Sequence, residues 1–86
     1  MAKYTTFTNL ESFEGTTNGE STLNLVNKAK KVVITNDSPS KDMTYKFNVS
    51  DTPATLKSKE SISWTFQAKI IIIDGDGVDY RIWTVS

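Results

Sequence analysis

The chain has 86 residues, ten of them basic and ten acidic, so its formal net charge is zero. That length makes a single domain spanning residues 1–86, whose core supplies only ~3–5 kcal/mol unless something staples it. Cysteine and histidine are both absent, which excludes disulfides, Cys/His zinc sites and histidine-based acid–base chemistry, and leaves close packing or association with copies or partners as routes to stability.

The first residues, Lys3-Tyr4-Thr5-Thr6-Phe7-Thr8, are read as a first strand with imperfect alternation. Residues 9–20 read as loop or turn, marked by Glu11, Glu14, Gly15, Asn18 and Gly19. Leu23 and Leu25 then share one face of a strand over 22–26. Lys28-Ala29-Lys30-Lys31 is the densest basic run. It leads into the apolar strand 31–35, so it reads as a strand flank rather than a phosphate contact. Nucleic-acid binders carry a basic stripe and a high pI, whereas this chain has a pI near 6.2; no nucleic-acid partner is expected.

Asn36 to Asp42 is rich in Asn, Asp, Ser and Pro, the residues that favour turns. Met43, Tyr45, Phe47 and Val49 follow at a strict spacing of two, the pattern of a half-buried strand. Strands 31–35 and 43–49 are therefore expected to pair across a seven-residue loop. Residues 54–56 form a short extended piece and 57–60 a polar turn. Ile62, Trp64 and Phe66 alternate with Ser61, Ser63 and Thr65, which places Trp64 in the core. Residues 69–73 are apolar on both faces, as in a strand covered on two sides. Asp74-Gly75-Asp76-Gly77 reads as the turn of a closing hairpin, because Asp-Gly tolerates positive φ, and 78–85 as its second strand. Helical periodicity is nearly missing. The fold class expected is all-β, a small antiparallel sandwich of about seven strands, with a partly open barrel as the alternative.

Candidate sites are few. Asp74, Asp76 and Asp79 offer alternating oxygens for a hard cation, but the segment lacks the glutamate and flanking helices of a calcium-binding loop, so no metal is assigned. Tyr80 and Trp83 fall on opposite faces of the last strand, so one of them is expected to be partly exposed as a contact point. The triplets Asn36-Asp37-Ser38 and Asn48-Val49-Ser50 match a glycosylation sequon, yet no apolar signal segment follows Met1 to route the chain to that machinery. The longest apolar run, Ile70–Ile73, is far short of the ~20 residues that cross a bilayer. No catalytic residue, cofactor or membrane contact is expected.

The segments 31–36, 43–47 (Met-Thr-Tyr-Lys-Phe), 55–62 (Thr-Leu-Lys-Ser-Lys-Glu-Ser-Ile) and 80–83 (Tyr-Arg-Ile-Trp) together resemble small β-sandwich modules. Such modules occur in structural proteins of tailed bacteriophages, especially those infecting Gram-positive hosts. The resemblance covers residues 22–86 and departs at Lys59, where such modules usually carry glycine before the glutamate. Residues 1–21 lie outside it and are read as an added strand or assembly arm. The resemblance implies a non-catalytic virion or accessory protein, located in the virion or in the host cytoplasm during assembly. Its partners would be other virion proteins or further copies in a homo-oligomer. Two alternatives stand beside this: a carbohydrate-binding module for host-surface glycans, and a small intracellular effector that binds a host protein.

Overall fold

The computed structural model describes residues 9–48, 52–65 and 67–86. They form six strands: β1 (Leu10–Ala29), β2 (Lys31–Asn36), β3 (Met43–Phe47), β4 (Ala54–Leu56), β5 (Ser61–Trp64) and β6 (Ala68–Val85). All pairings are antiparallel. The protein is all-β, a single curled sheet that makes a half-barrel.

β6 is the hub. β1 runs beside it from the Leu10–Val85 pair to the Ala29–Ala68 pair. Its other edge is shared by two short strands in tandem, β2 against Tyr80–Val85 and β3 against Ile71–Asp74. β5 then pairs outside β2, and β4 outside β3. Because β2 and β3 are both antiparallel to β6, they run in the same direction. The expected pairing of 31–35 with 43–49 is therefore corrected: the loop between them spans along β6 instead of turning back. Buried Asn36 holds that loop. Its Nδ2 donates to the carbonyls of Lys41 and Leu56, and its Oδ1 accepts from the amide of Ser38.

The expected hairpin at 74–77 is also corrected. The first three of these residues stay paired with β1, Asp74 with Glu20, Gly75 with Gly19 and Asp76 with Asn18. An 18-residue strand would span ~56 Å if straight, at ~3.3 Å per residue. Yet Ala29 pairs with Ala68 while Lys31 pairs with Val85. The two ends of β6 therefore lie within ~18 Å of each other, given ~3.8 Å between consecutive Cα atoms and ~5 Å across a pair. The β1–β6 ribbon is sharply bent.

The corner sits where the register shifts, between Thr16 and Asn18 of β1. One extra residue lies in β6 at that point, the mark of a β-bulge. Gly77 takes φ 70° and Gly19 takes φ 85°, values that cost glycine little. Thr17 is buried, and its Oγ1 accepts from the amide of Val78. A Cβ on Gly75 would lie 2.9 Å from that same Oγ1, so the corner closes only around glycine. Asp-Gly-Asp-Gly does supply a sharp change of direction; it bends a paired ribbon rather than ending a strand.

The bulge also switches the parity of the buried face. Ile71 and Ile73 point inward before it, Val78, Ile82 and Thr84 after it. Ile70 and Ile72 are half-buried, so residues 69–73 are covered on one face, not two. Ile71, Ile73, Val78 and Ile82 line the concave core with Leu25, Val32, Ile34, Met43, Tyr45 and Leu56. Residues 9–20, expected as loop, belong mostly to β1. That strand is polar because it lies at the sheet edge and buries only alternate side chains. Residues 3–8, Val49 and Phe66 lie outside the described residues. Among the described residues no helix is long and apolar enough to cross a membrane.

Candidate functional site

At the open side of the half-barrel, β3 and β5 bring three aromatic rings together. Tyr45 and Phe47 are two residues apart on the inner face of β3, ring centroids 5.5 Å apart and edge to face. Phe47 meets Trp64 of β5 at 6.5 Å, also edge to face. The Trp64 Nε1–H donates to the Tyr45 hydroxyl at 3.1 Å. These rings, with Asn48, Thr52 and Ala54, line a concave pocket of about 550 Å³. The size suits a small ligand or a side chain, since ligand pockets run to ~300–1,000 Å³. Asn48 shapes one wall in the left-handed conformation, φ 54°. Its Oδ1 accepts from the amides of Lys69 and Ile70, and its Nδ2 donates to the Gln67 carbonyl.

The expectation of Trp64 in the core is corrected: it has the inward parity but is 45% exposed. β5 is a four-residue strand at the rim, so its last side chain faces the opening. The Met43–Tyr45–Phe47 spacing carried half of this pocket, and the shortness of the 61–64 strand was the available sign of a rim position.

The last strand divides its aromatics as the alternation requires. Tyr80 lies inward beside Val78 and Ile82, its ring over Gly15. Trp83 faces outward and is 49% exposed. In register with it stand Ser12 on β1 and Val33 on β2, and the neighbouring row pairs Leu10, Val85 and Lys31. The row on the other side holds Glu14, Arg81 and Thr35. Arg81 donates from Nε and Nη2 to the carboxylate of Asp37 at 2.7 and 3.0 Å. That hydrogen bonding, reinforced by the carboxylate's charge, raises the guanidinium pKa above its ordinary value, so the group remains cationic. The result is a shallow apolar strip around Trp83, bordered by fixed charge.

Asp74, Asp76 and Asp79 are exposed residues of β6 and are drawn to separate neighbours. Thr16 donates its hydroxyl to Asp79 Oδ1. The Lys41 ammonium donates to the carbonyl of Asp76, and Asp74 stands between Glu20 and Thr44. Among the described residues no three acidic side chains gather to hold a cation.

Fold and surface together define a small all-β half-barrel with an aromatic pocket at its mouth and an exposed tryptophan on its convex face. No protein-family model, curated protein or solved structure matches the chain.

Proposed function

We propose that the chain is a non-catalytic phage virion structural or accessory protein that works through protein–protein contact, with the Trp83 strip as its contact surface. The observation that carries the contact reading is the half-exposed indole at mid-sheet, seated beside Val33 and next to the Leu10–Val85 row. Large aromatics on a rigid sheet are the usual anchors of interfaces, and their truncation costs more than that of surrounding residues. The absence of histidine and cysteine supports a role without catalysis. The phage setting rests on the resemblance of residues 22–86. Particles purified from the phage that encodes the chain should contain the wild-type protein, and Trp83→Ser should deplete it at least tenfold without changing its circular dichroism. Particles free of wild-type protein would overturn the virion role; equal incorporation of Trp83→Ser would overturn the contact surface.

One observation favours a second reading, a module for host-surface glycans: Trp64 and its aromatic neighbours line a pocket of about 550 Å³. Titration of host cell-wall fragments should then shift the tryptophan emission of wild type and leave Trp64→Ala unresponsive. Binding that survives Trp64→Ala, or no binding at all, rejects it.

A further inference from the structure

β1 is 20 residues long and pairs only with β6 among the described residues. Which of its backbone groups remain open follows from one pair. Asn9 and Ser86 exchange both main-chain hydrogen bonds. In an antiparallel ladder such pairs alternate, so the odd residues of β1 face β6 and the even ones face away. The extra residue at the corner lies in β6, so β1 keeps this parity through the bend. Leu10, Ser12, Glu14, Thr16, Asn18, Glu20, Thr22 and Asn24 thus direct their N–H and C=O groups to the open edge. Such an edge is a template for another strand.

The regular ladder breaks off just beyond Asn24 and resumes only at the Ala29–Ala68 pair. There Glu11 accepts from the amides of Val26 and Asn27, while Lys69 Nζ donates to the carbonyls of Leu25 and Val26. The open edge is therefore bounded, and two exposed apolar side chains mark its ends: Leu10, 69% exposed, and Val26, 77% exposed.

These ends select an occupant. We propose that two copies of the chain pair antiparallel through β1, across a two-fold axis at Asn18. This deepens the contact reading above by naming a second copy as partner; it uses the β1 edge, which adjoins the Trp83 strip at Leu10 and Ser12 but does not include the indole. An antiparallel edge pair is self-complementary, as a two-fold interface requires. Placing Leu10 opposite Val26 of the second copy fixes the register completely. Ser12 then faces Asn24, Glu14 faces Thr22, Thr16 faces Glu20, and Asn18 faces its own equivalent. No like charges stand directly opposite, an arrangement that would destabilise the pair. The axis also falls at the corner of the ribbon. A two-fold axis along the sheet normal carries a bend toward the core into a bend toward the same side, so the two half-barrels join as one wider trough. On the order of a dozen main-chain hydrogen bonds would form between the Ser12–Asn24 pair and its symmetry mate; Leu10 and Val26 meet through their side chains, since Glu11 and Lys69 already hold the Val26 amide and carbonyl.

Sedimentation velocity of the full chain at tens of micromolar tests the pairing. Wild type should sediment as a dimer. Thr22→Glu, which places glutamate opposite Glu14, should raise the dimer dissociation constant at least tenfold with unchanged circular dichroism. Combining Thr22→Glu with Glu14→Lys should restore the dimer. Asn18→Cys, in a chain without cysteine, should cross-link to itself on mild oxidation, since Cα atoms across such a pair lie within disulfide range. Trp83→Ser should leave the dimer intact, so failure of the Trp83 surface and failure of this one are distinguished. A monomeric wild type, or a dimer indifferent to Thr22→Glu and dissociated by Trp83→Ser, would overturn the inference.

Discussion

Lys59 shows how a single position carries a physical cost that a pattern only hints at. It sits in the turn closed by the Glu60 amide donating to the Lys57 carbonyl, with the Lys57 amide donating to the Glu60 carboxylate. Its φ is 63°, in the left-handed region where a Cβ costs ~1–2 kcal/mol. The glycine usual at this place in the resembling modules would adopt that conformation freely, at an unfolded-state entropy cost of ~0.5–1 kcal/mol. Lys59→Gly should therefore stabilise the fold by about 0.5–1 kcal/mol, read as a higher urea midpoint at unchanged slope. A lower midpoint would show that the lysine side chain contributes something the backbone strain does not reveal.

The strands that were legible in the sequence are those whose two faces meet different surroundings. Met43, Tyr45 and Phe47 alternate with Thr44 and Lys46, and β3 appears where that spacing puts it; β2 and β4 likewise follow from their apolar runs and bounding turns. β1 was not legible through 10–20, because an edge strand that buries Thr17 and half-buries Phe13 shows almost no apolar period. β6 reads as two strands in the sequence because Asp-Gly-Asp-Gly is a turn signal, and nothing local separates a turn from a bulged corner. That distinction lies in the partner strand. The Thr17 hydroxyl supplies it by accepting from the buried Val78 amide at 2.9 Å. Thr17→Val keeps the shape and leaves that amide without an acceptor, a loss of ~1–3 kcal/mol. Gly75→Ala, which drives a methyl against the same oxygen, should be at least as damaging. Urea denaturation of both variants checks this; a Thr17→Val midpoint equal to wild type would mean the corner is held by its glycines alone. The aromatic pocket was half legible for the same reason. The Tyr45–Phe47 spacing was local, while the exposure of Trp64 depends on which strand forms the rim.

At the scale of the whole molecule, almost every long-range pairing passes through one strand. β6 pairs with β1, β2 and β3, and only β4 and β5 are attached at second hand. Its second half holds β2 through the pairs from Lys31–Val85 to Asn36–Tyr80, and among the described residues β5 joins the sheet by main-chain pairing with β2 alone. The same residues bury Ile82 and Thr84 and seat Tyr80 against the core. A domain this small has little stability in reserve, ~3–5 kcal/mol from a single core, and burial of one isoleucine alone is worth ~2–5 kcal/mol when truncated to alanine. Deleting Tyr80–Ser86 removes that isoleucine, the partner of β2 and half the partner of β1 at once. The truncated chain should therefore lose its β circular-dichroism signal and its cooperative urea transition. Trp64 lies outside the deletion and reports the loss independently, since its emission depends on β5 remaining against β2. A truncated chain with native-like β signal and a sigmoidal unfolding curve would mean that the ribbon's first half, with β3 and β4, folds without the hub's second half, and the bent β1–β6 pair would then be two units rather than one.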